Sequence, residues 1–205
     1  MMPAHLTMPV MPAQLDPIPV KLNDRAGRPA AVLVGLMRRH QQWHVIMTER
    51  AAHLAHHAGQ ISFPGGKVEK SDGGLVATAL REANEEIALS AERVEVIGGL
   101  GQVTSPAGFV VQPVVGIVAS EATFCACPEE VARILVLPLA DLVSTNRHRR
   151  ESYLRDGQRR DVWVIDHEEH NIWGLSAAIL VDLATRTGDA VTQQHVPAGS
   201  PTPGA

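Results

Sequence analysis

Apolar and polar positions along this chain fall into a series of short blocks. From Pro29 the run AAVLVGLMRR is almost continuously apolar, as a buried strand requires, and QWHVIMTER reads as a second strand. Arg39 to Gln41 between them is short and polar, which suits a hairpin turn. Residues 51–60 (AAHLAHHAGQ) form a loop or short helix that leads to ISF and then to the Pro64-Gly65-Gly66 break. Val76, Ala79, Leu80, Ala83 and Ile87 recur at helical spacing and predict a helix over residues 75–89, with Asp72 or Ser71 as its cap. Strands are expected at residues 93–103 and 109–119, turned at TSPAG. PEEVARILVLPLADL opens as a helical turn, runs through an apolar stretch and restarts as a short helix after Pro138. YLRDGQRRDVWVID reads as a hairpin turned at Asp156-Gly157, and residues 173–186 as a last amphipathic helix. Residues 1–28 hold several prolines and read as an irregular arm; residues 188–205 read as a disordered tail. What remains, 29–187, is one domain without internal repeats.

Composition narrows the function classes. Hydrophobic residues make up 45% and charged residues 20% of 205, as in an ordinary globular domain. Aromatic residues are only 3%, too few for a stacking platform for single-stranded nucleic acid. The net charge of −4 gives no general attraction for polyanions, so nucleic acid is not an expected partner. A phosphate ligand must instead be handled by a metal or a few arginines. No stretch reaches the roughly 20 apolar residues of a membrane span. The proline-broken N-terminus lacks the pattern of a signal peptide, so a cytoplasmic chain is expected. Cys125 and Cys127, one residue apart, read as two reduced thiols.

The candidate chemistry lies in REANEEIAL, residues 81–89. Glu82, Glu85 and Glu86 stand at i, i+3 and i+4, within an arc of about 100° on one helix face. Taken alone, E-x-x-E-E is more often a solvated face. Its context is different. FPGGKVEKSDGG precedes it, and a glycine pair lets backbone approach a ligand closely. Arg81 can tie that loop to the helix through fork-like bonds to a carboxylate. Three neighbouring carboxylates repel unless neutralised, and an all-oxygen set suits Mg²⁺ or Mn²⁺.

This order of glycine loop, Arg-Glu and Glu-Glu resembles the Nudix hydrolase signature, G-x5-E-x7-R-E-U-x-E-E-x-G-U with U bulky and aliphatic. Arg81, Glu82, Glu85, Glu86 and Leu89 fall in place. Ala83 is smaller than the usual aliphatic and Ala88 replaces the late glycine. The early acid would fall on Gly73, so Glu69 or Asp72 serves instead across a loop one residue longer. The resemblance covers residues 30–187 and implies an α/β fold, a Nudix-type α/β/α sandwich with a mixed β-sheet. It also implies hydrolysis of a diphosphate linkage. Glu82, Glu86 and Glu85 are the expected metal ligands, with Glu85 also a candidate base. Arg81 is the expected organiser of the catalytic group.

IMTERAAHLAHHAGQISFPGG, residues 46–66, is similar to the coenzyme A diphosphatase signature L-L-T-x-R-[SA]-x3-R-x3-G-x3-F-P-G-G. Thr48, Arg50, Ala51, Gly59, Phe63, Pro64, Gly65 and Gly66 align. Arg50, Gly65 and Gly66 are accordingly the expected substrate-binding residues, with a Gly66 carbonyl toward the metal. The implied substrate is a CoA-like diphosphate, giving 3′,5′-ADP and 4′-phosphopantetheine. The signature's second arginine falls on Ala55. That departure keeps two alternatives open: another nucleoside diphosphate derivative (ADP-ribose or a dinucleotide), or a non-catalytic CoA- or nucleotide-binding module. His53, His56 and His57 lack a fourth ligand for zinc and read as loop histidines. His167-Glu168-Glu169-His170 has the wrong spacing for a helical zinc motif and reads as a polar loop. A homodimer accords with the sequence on general frequency alone.

If Ala55 limits CoA binding, Ala55→Arg is expected to lower KM for CoA through a charge-assisted bond to phosphate. Steady-state kinetics decide it, and an unchanged or higher KM removes that account of the departure.

Overall fold

Alternation along the first long strand sets the layering. The computed structural model describes residues 14–20, 27–54, 58–155 and 158–187. In β1 (Arg28–Arg39), Ala31, Leu33 and Met37 face one side of the sheet, while Ala30, Val32, Val34 and Leu36 face the other. Both faces are buried, which is why this stretch reads as a continuous apolar run. β2 (Gln42–Arg50) returns antiparallel after His40 and Gln41, both at positive φ (47° and 67°), as a two-residue type I′ turn requires. β3 (Ile61–Ser62) pairs with β2, and β4 (Gly65–Lys67) pairs antiparallel with β1.

α1 (Leu75–Ile87) follows, then β5 (Val94–Gly99), β6 (Val103–Thr104) and β7 (Phe109–Val118). β7 runs parallel to β1 and antiparallel to β5 and β6. β8 (Val131–Pro138) closes the far side of β2. α2 (Leu139–Val143), β9 (His148–Arg155), β10 (Gln158–Ile165), β11 (Ile172–Trp173) and α3 (Leu175–Thr187) complete the order. The result is a mixed eight-stranded sheet, with the core running β3-β2-β1-β7-β5, and a separate β11-β10-β9 sheet.

α1 packs on Ala31, Leu33, Val114 and Val118 through Leu75, Ala79, Ala83 and Ile87. On the opposite face Leu139, Leu142, Val143, Ile179, Leu180 and Leu183 cover Val34, Val45, Met47 and Val115. This is the expected α/β/α sandwich with a mixed sheet. No helix among the described residues is long and apolar enough to cross a membrane.

Several local expectations change. The expected strand over 93–103 is two strands, because β5 bulges between Val96 and Gly98 and pairing breaks after Gly99. The last helix starts at Leu175, since Trp173 pairs in β11 and Gly174 turns the chain at φ 68°. Neither Asp72 nor Ser71 caps α1. Its N-cap is Gly74, and the Asp72 carboxylate is engaged elsewhere. α1 ends at Ile87 because Ala88 is left-handed (φ 55°, ψ 29°), its N–H returning to Asn84. Residues 15–20 form no strand or helix beyond one bridge, yet they are docked. Asp16 exchanges both backbone bonds with Gly99, and Arg186 holds the Asp16 carboxylate at 2.8 Å. The expected Asp156-Gly157 turn and the disordered tail lie outside the described residues.

Alanine at a left-handed position carries a steric penalty that glycine does not. Ala88→Gly is therefore expected to stabilise the fold by about 1 kcal/mol in chemical denaturation. A loss of stability would show that the cap tolerates the Cβ without strain.

Candidate active site

The register of β4 decides what faces the carboxylates. Bonds from the Leu33 N–H to the Pro64 carbonyl and from the Val68 N–H to the Pro29 carbonyl flank the Ala31–Gly66 pair. The alternation of an antiparallel ladder then turns the Gly66 N–H and carbonyl inward to Ala31, and those of Gly65 and Lys67 outward. So the expectation of a Gly66 carbonyl at the site is corrected. The outward backbone oxygen here is that of Gly65. Gly66 instead makes room, because a Cβ on it would lie 2.7 Å from Glu82 Oε2, inside the carboxylate. A side chain at 66 would have to displace the Glu82 carboxylate from its place over this strand.

Arg81, with its side chain 21% exposed, is the hub. Its Nε donates to Asp72 Oδ1 at 2.9 Å, and one terminal nitrogen donates to Asp72 Oδ2, the Lys67 carbonyl and Glu82 Oε1 at 3.2, 3.0 and 3.0 Å. The other terminal nitrogen reaches Glu85 Oε2 at 2.9 Å. The early acid that the sequence leaves open is thus Asp72. Its carboxylate also accepts the Glu69 N–H and the Thr78 hydroxyl, each at 2.8 Å, while the Glu69 side chain is exposed. The Arg81 guanidinium, aided by those two donors against burial, holds the Asp72 carboxyl down at about 2. Asp72 in turn raises the Arg81 pKa further.

Glu86 lies deepest, 5% exposed. Burial pushes its carboxyl up to about 8 and the Glu82 charge adds to the shift, while the Gly65 N–H and Arg50 work against it. Burial also raises Glu82, and Arg81 partly offsets the effect. The expected trio is therefore divided. Glu82 and Glu86 converge at the outer edge of β4, whereas Glu85 is drawn to Arg81 with its side chain 58% exposed. Among the described residues no three acid, histidine or cysteine side chains form a ready ligand set.

Glu130, which the sequence pattern does not single out, acts on both Glu82 and Glu86. The Ala51 N–H holds the Glu130 carbonyl, the Glu130 N–H bonds to Cys127, and the Cys127 N–H bonds to the Glu86 carbonyl. These are contacts between distant segments, so no local signal announces them. Arg50, at the end of β2, faces Glu86 as expected of a site residue. His53 bonds the Glu129 carbonyl through Nε2 at 3.1 Å, while Ala55, His56 and His57 lie outside the described residues. Both cysteines are free.

The donors at the β4 edge are all oxygen, and a buried acid beside two others calls for a cation. The arrangement therefore fits a hard divalent ion. The NUDIX domain family matches residues 27–157. The chain belongs to the Nudix hydrolase family. It is 42% identical over 161 residues to an uncharacterized Nudix hydrolase, NudL, of Enterobacter sp. (strain 638), covering 78% of this chain and 83% of that one. Identity to the NudL of Salmonella paratyphi B is 43% over the same length and coverage. A NUDIX hydrolase from Alicyclobacillus acidocaldarius shares the fold with a TM-score of 0.52 at 16% identity, over 84% of this chain and 98% of that one. A MutT/nudix family protein from Enterococcus faecalis also scores 0.52, at 18% identity, over 82% and 66%. This Nudix hydrolase is accordingly an enzyme acting on pyrophosphate bonds, in a family that generally needs divalent ions such as Mg²⁺ or Mn²⁺.

The depressed Asp72 carboxyl adds stability that is fully present above about pH 4, the unfolded value, and is lost as pH falls through about 2. Asp72→Asn is expected to destabilise the fold near pH 7 by on the order of 2 kcal/mol. Unfolding curves at stepped pH should show that gap closing between about pH 4 and pH 2. A gap that does not change with pH would detach the Asp72 charge from the stability of the clamp.

Proposed function

We propose that this Nudix hydrolase cleaves the diphosphate of coenzyme A or its derivatives, giving 3′,5′-ADP and 4′-phosphopantetheine or its acyl form. The observation that carries the reading is the convergence of Glu86, Glu82, the Gly65 backbone and Arg50 at the open edge of β4. Arg50, Gly65 and Gly66 belong to the stretch similar to the CoA diphosphatase signature. Their position beside the carboxylates supports a diphosphate-binding role for that stretch.

Glu82 and Glu86, with the Gly65 carbonyl, would hold Mg²⁺ or Mn²⁺. When bound, such an ion supplies charge neutralisation for the diphosphate and lowers the pKa of the attacking water. Arg50 pairs with a phosphate oxygen and orients the linkage. Arg81 does not reach the substrate; it fixes Glu82, Glu85 and the Lys67 carbonyl in register. Water oxygen bonds to one phosphorus as the bridging P–O bond breaks, and the water proton passes to a carboxylate. We assign that transfer to Glu85, whose side chain is largely exposed, or to Glu130, whose charge acts on Glu82 and Glu86.

The test is turnover of CoA, acyl-CoA, ADP-ribose, NADH and dinucleotide polyphosphates with Mg²⁺ or Mn²⁺, with products separated chromatographically. The expected result is a kcat/KM highest for CoA or acyl-CoA. A preference for ADP-ribose or a dinucleotide would transfer the site to that substrate and implicate Ala55. Glu86→Gln is expected to reduce metal-dependent kcat by at least about 10³-fold with an intact fold. Retained wild-type kcat would remove Glu86 from the metal centre.

A further inference from the structure

We infer that Arg28, Lys67 and Phe109 form a second anion subsite, which receives a phosphate carried by the nucleotide in addition to the scissile diphosphate. Side chains alternate along β4, so Gly66 opens under Glu82 while Lys67 turns to the opposite face. The cross-strand partners of these two residues bear this out. Ala31, opposite Gly66, packs in the α1 layer, and Ala30, opposite Lys67, packs in the α3 layer. On that second face Phe109 stands in register with Arg28, on the adjacent parallel strand. The Arg28 guanidinium lies 4.0 Å from the Phe109 ring centroid, and the Lys67 ammonium 5.8 Å.

Two features point to a ligand. Arg28 and Lys67 are exposed like charges gathered on one ring, and among the described residues neither makes an ion pair. Such a pair is unfavourable by itself and favours an anion between its members. The ring holds both cations near one place through its π face. Arg28 is held in place. One of its terminal nitrogens donates to the Ala107 carbonyl, and its N–H bonds to Gly108 at 3.0 Å, so the 105–108 turn fixes the guanidinium.

The location suits a substrate that already occupies the active site. The outer edge of β4 is unpaired among the described residues. One Arg81 nitrogen bonds both the Lys67 carbonyl and Glu82, which ties that edge to the catalytic acids. The Lys67 backbone lies on that edge with Glu82 and Glu86 beside it. Its side chain extends across the other face of the sheet toward Phe109, so the subsite receives a group carried beyond the scissile diphosphate. The inference rests on the CoA reading only for the identity of the extra group, the 3′-phosphate of the adenosine.

The experiment compares 3′,5′-ADP with 5′-AMP by calorimetry on the full chain, and CoA with 3′-dephospho-CoA in steady-state kinetics. The wild type is expected to favour the 3′-phosphorylated member of each pair by about tenfold or more. Lys67→Gln and Arg28→Gln should bring both ratios toward one, and Lys67→Arg should keep them. Lys67→Gln remains decisive if Arg28→Gln unfolds, because the Lys67 side chain makes no hydrogen bond among the described residues. Equal wild-type affinity for 3′,5′-ADP and 5′-AMP overturns the subsite. Equal losses on both members of a pair do so too, since a merely structural role predicts them. If CoA is not hydrolysed while 3′,5′-ADP still outbinds 5′-AMP through Lys67, the CoA reading fails and the subsite stands.

Discussion

Arg81 and Asp72 form the interaction on which the site depends, because one guanidinium spans three pieces of chain that would otherwise be independent. It joins the loop before α1 through Asp72, the edge of β4 through the Lys67 carbonyl, and the helix itself through Glu82 and Glu85. A lysine could make some of these bonds but not the fork to Asp72 together with the outward reach to three other acceptors. The arrangement is also one-sided. Asp72 takes further donors from Glu69 and Thr78, whereas the Glu82 and Glu85 side chains accept their hydrogen bonds from Arg81. Glu82 in particular is fixed by one oxygen and open at the other.

The antiparallel ladder between β1 and β4 imposes the second constraint. A shift of one residue would turn the Gly66 backbone outward, the Gly65 and Lys67 backbones inward, and each side chain to the opposite face. Glu86 would lose the Gly65 N–H, and Arg81 would lose the Lys67 carbonyl. Register in so short a strand is held mainly by its neighbours. The Pro64 carbonyl and the Val68 N–H extend the pairing on either side. The Phe63-Pro64-Gly65-Gly66 stretch is thus as much a register device as a ligand loop.

How legible the molecule is in its sequence follows the range of the interactions. Near-continuous apolar runs reveal β1, β2 and β7, and helical apolar spacing reveals α1, because each of these elements packs directly into the core. Ala88 is visible as a substitution for glycine, and its left-handed backbone gives that substitution its physical meaning. Asp72 and Glu69 are indistinguishable in a linear pattern when loop length varies by one residue. Only folding of the loop shows that Asp72 meets Arg81 and Glu69 meets water. Glu130 and the docking of Asp16 on Gly99 depend on contacts between segments far apart in the chain, and local pattern carries no trace of them. The trio Glu82, Glu85 and Glu86 is legible as a cluster but not in its division, since Arg81 pairs with Glu82 and, at i, i+4, with Glu85, while Glu86 is buried apart from it.

The departure at Ala83 bears on one quantity, the separation between α1 and the sheet. Ala79 and Ala83 are fully buried against the layer that contains Ala31, so small side chains meet at the closest approach. The space above Gly66 is taken by the Glu82 carboxylate. A bulkier residue at 83 would lift the helix and move Glu86 toward solvent, relieving the burial that raises its carboxyl. Close packing thus turns an acidic pattern that would be ordinary on an exposed helix into one with Glu86 buried and Glu82 partly so. Burial of the Glu86 carboxyl opposes its charged form, and the same close-packed contacts keep it from relaxing into water.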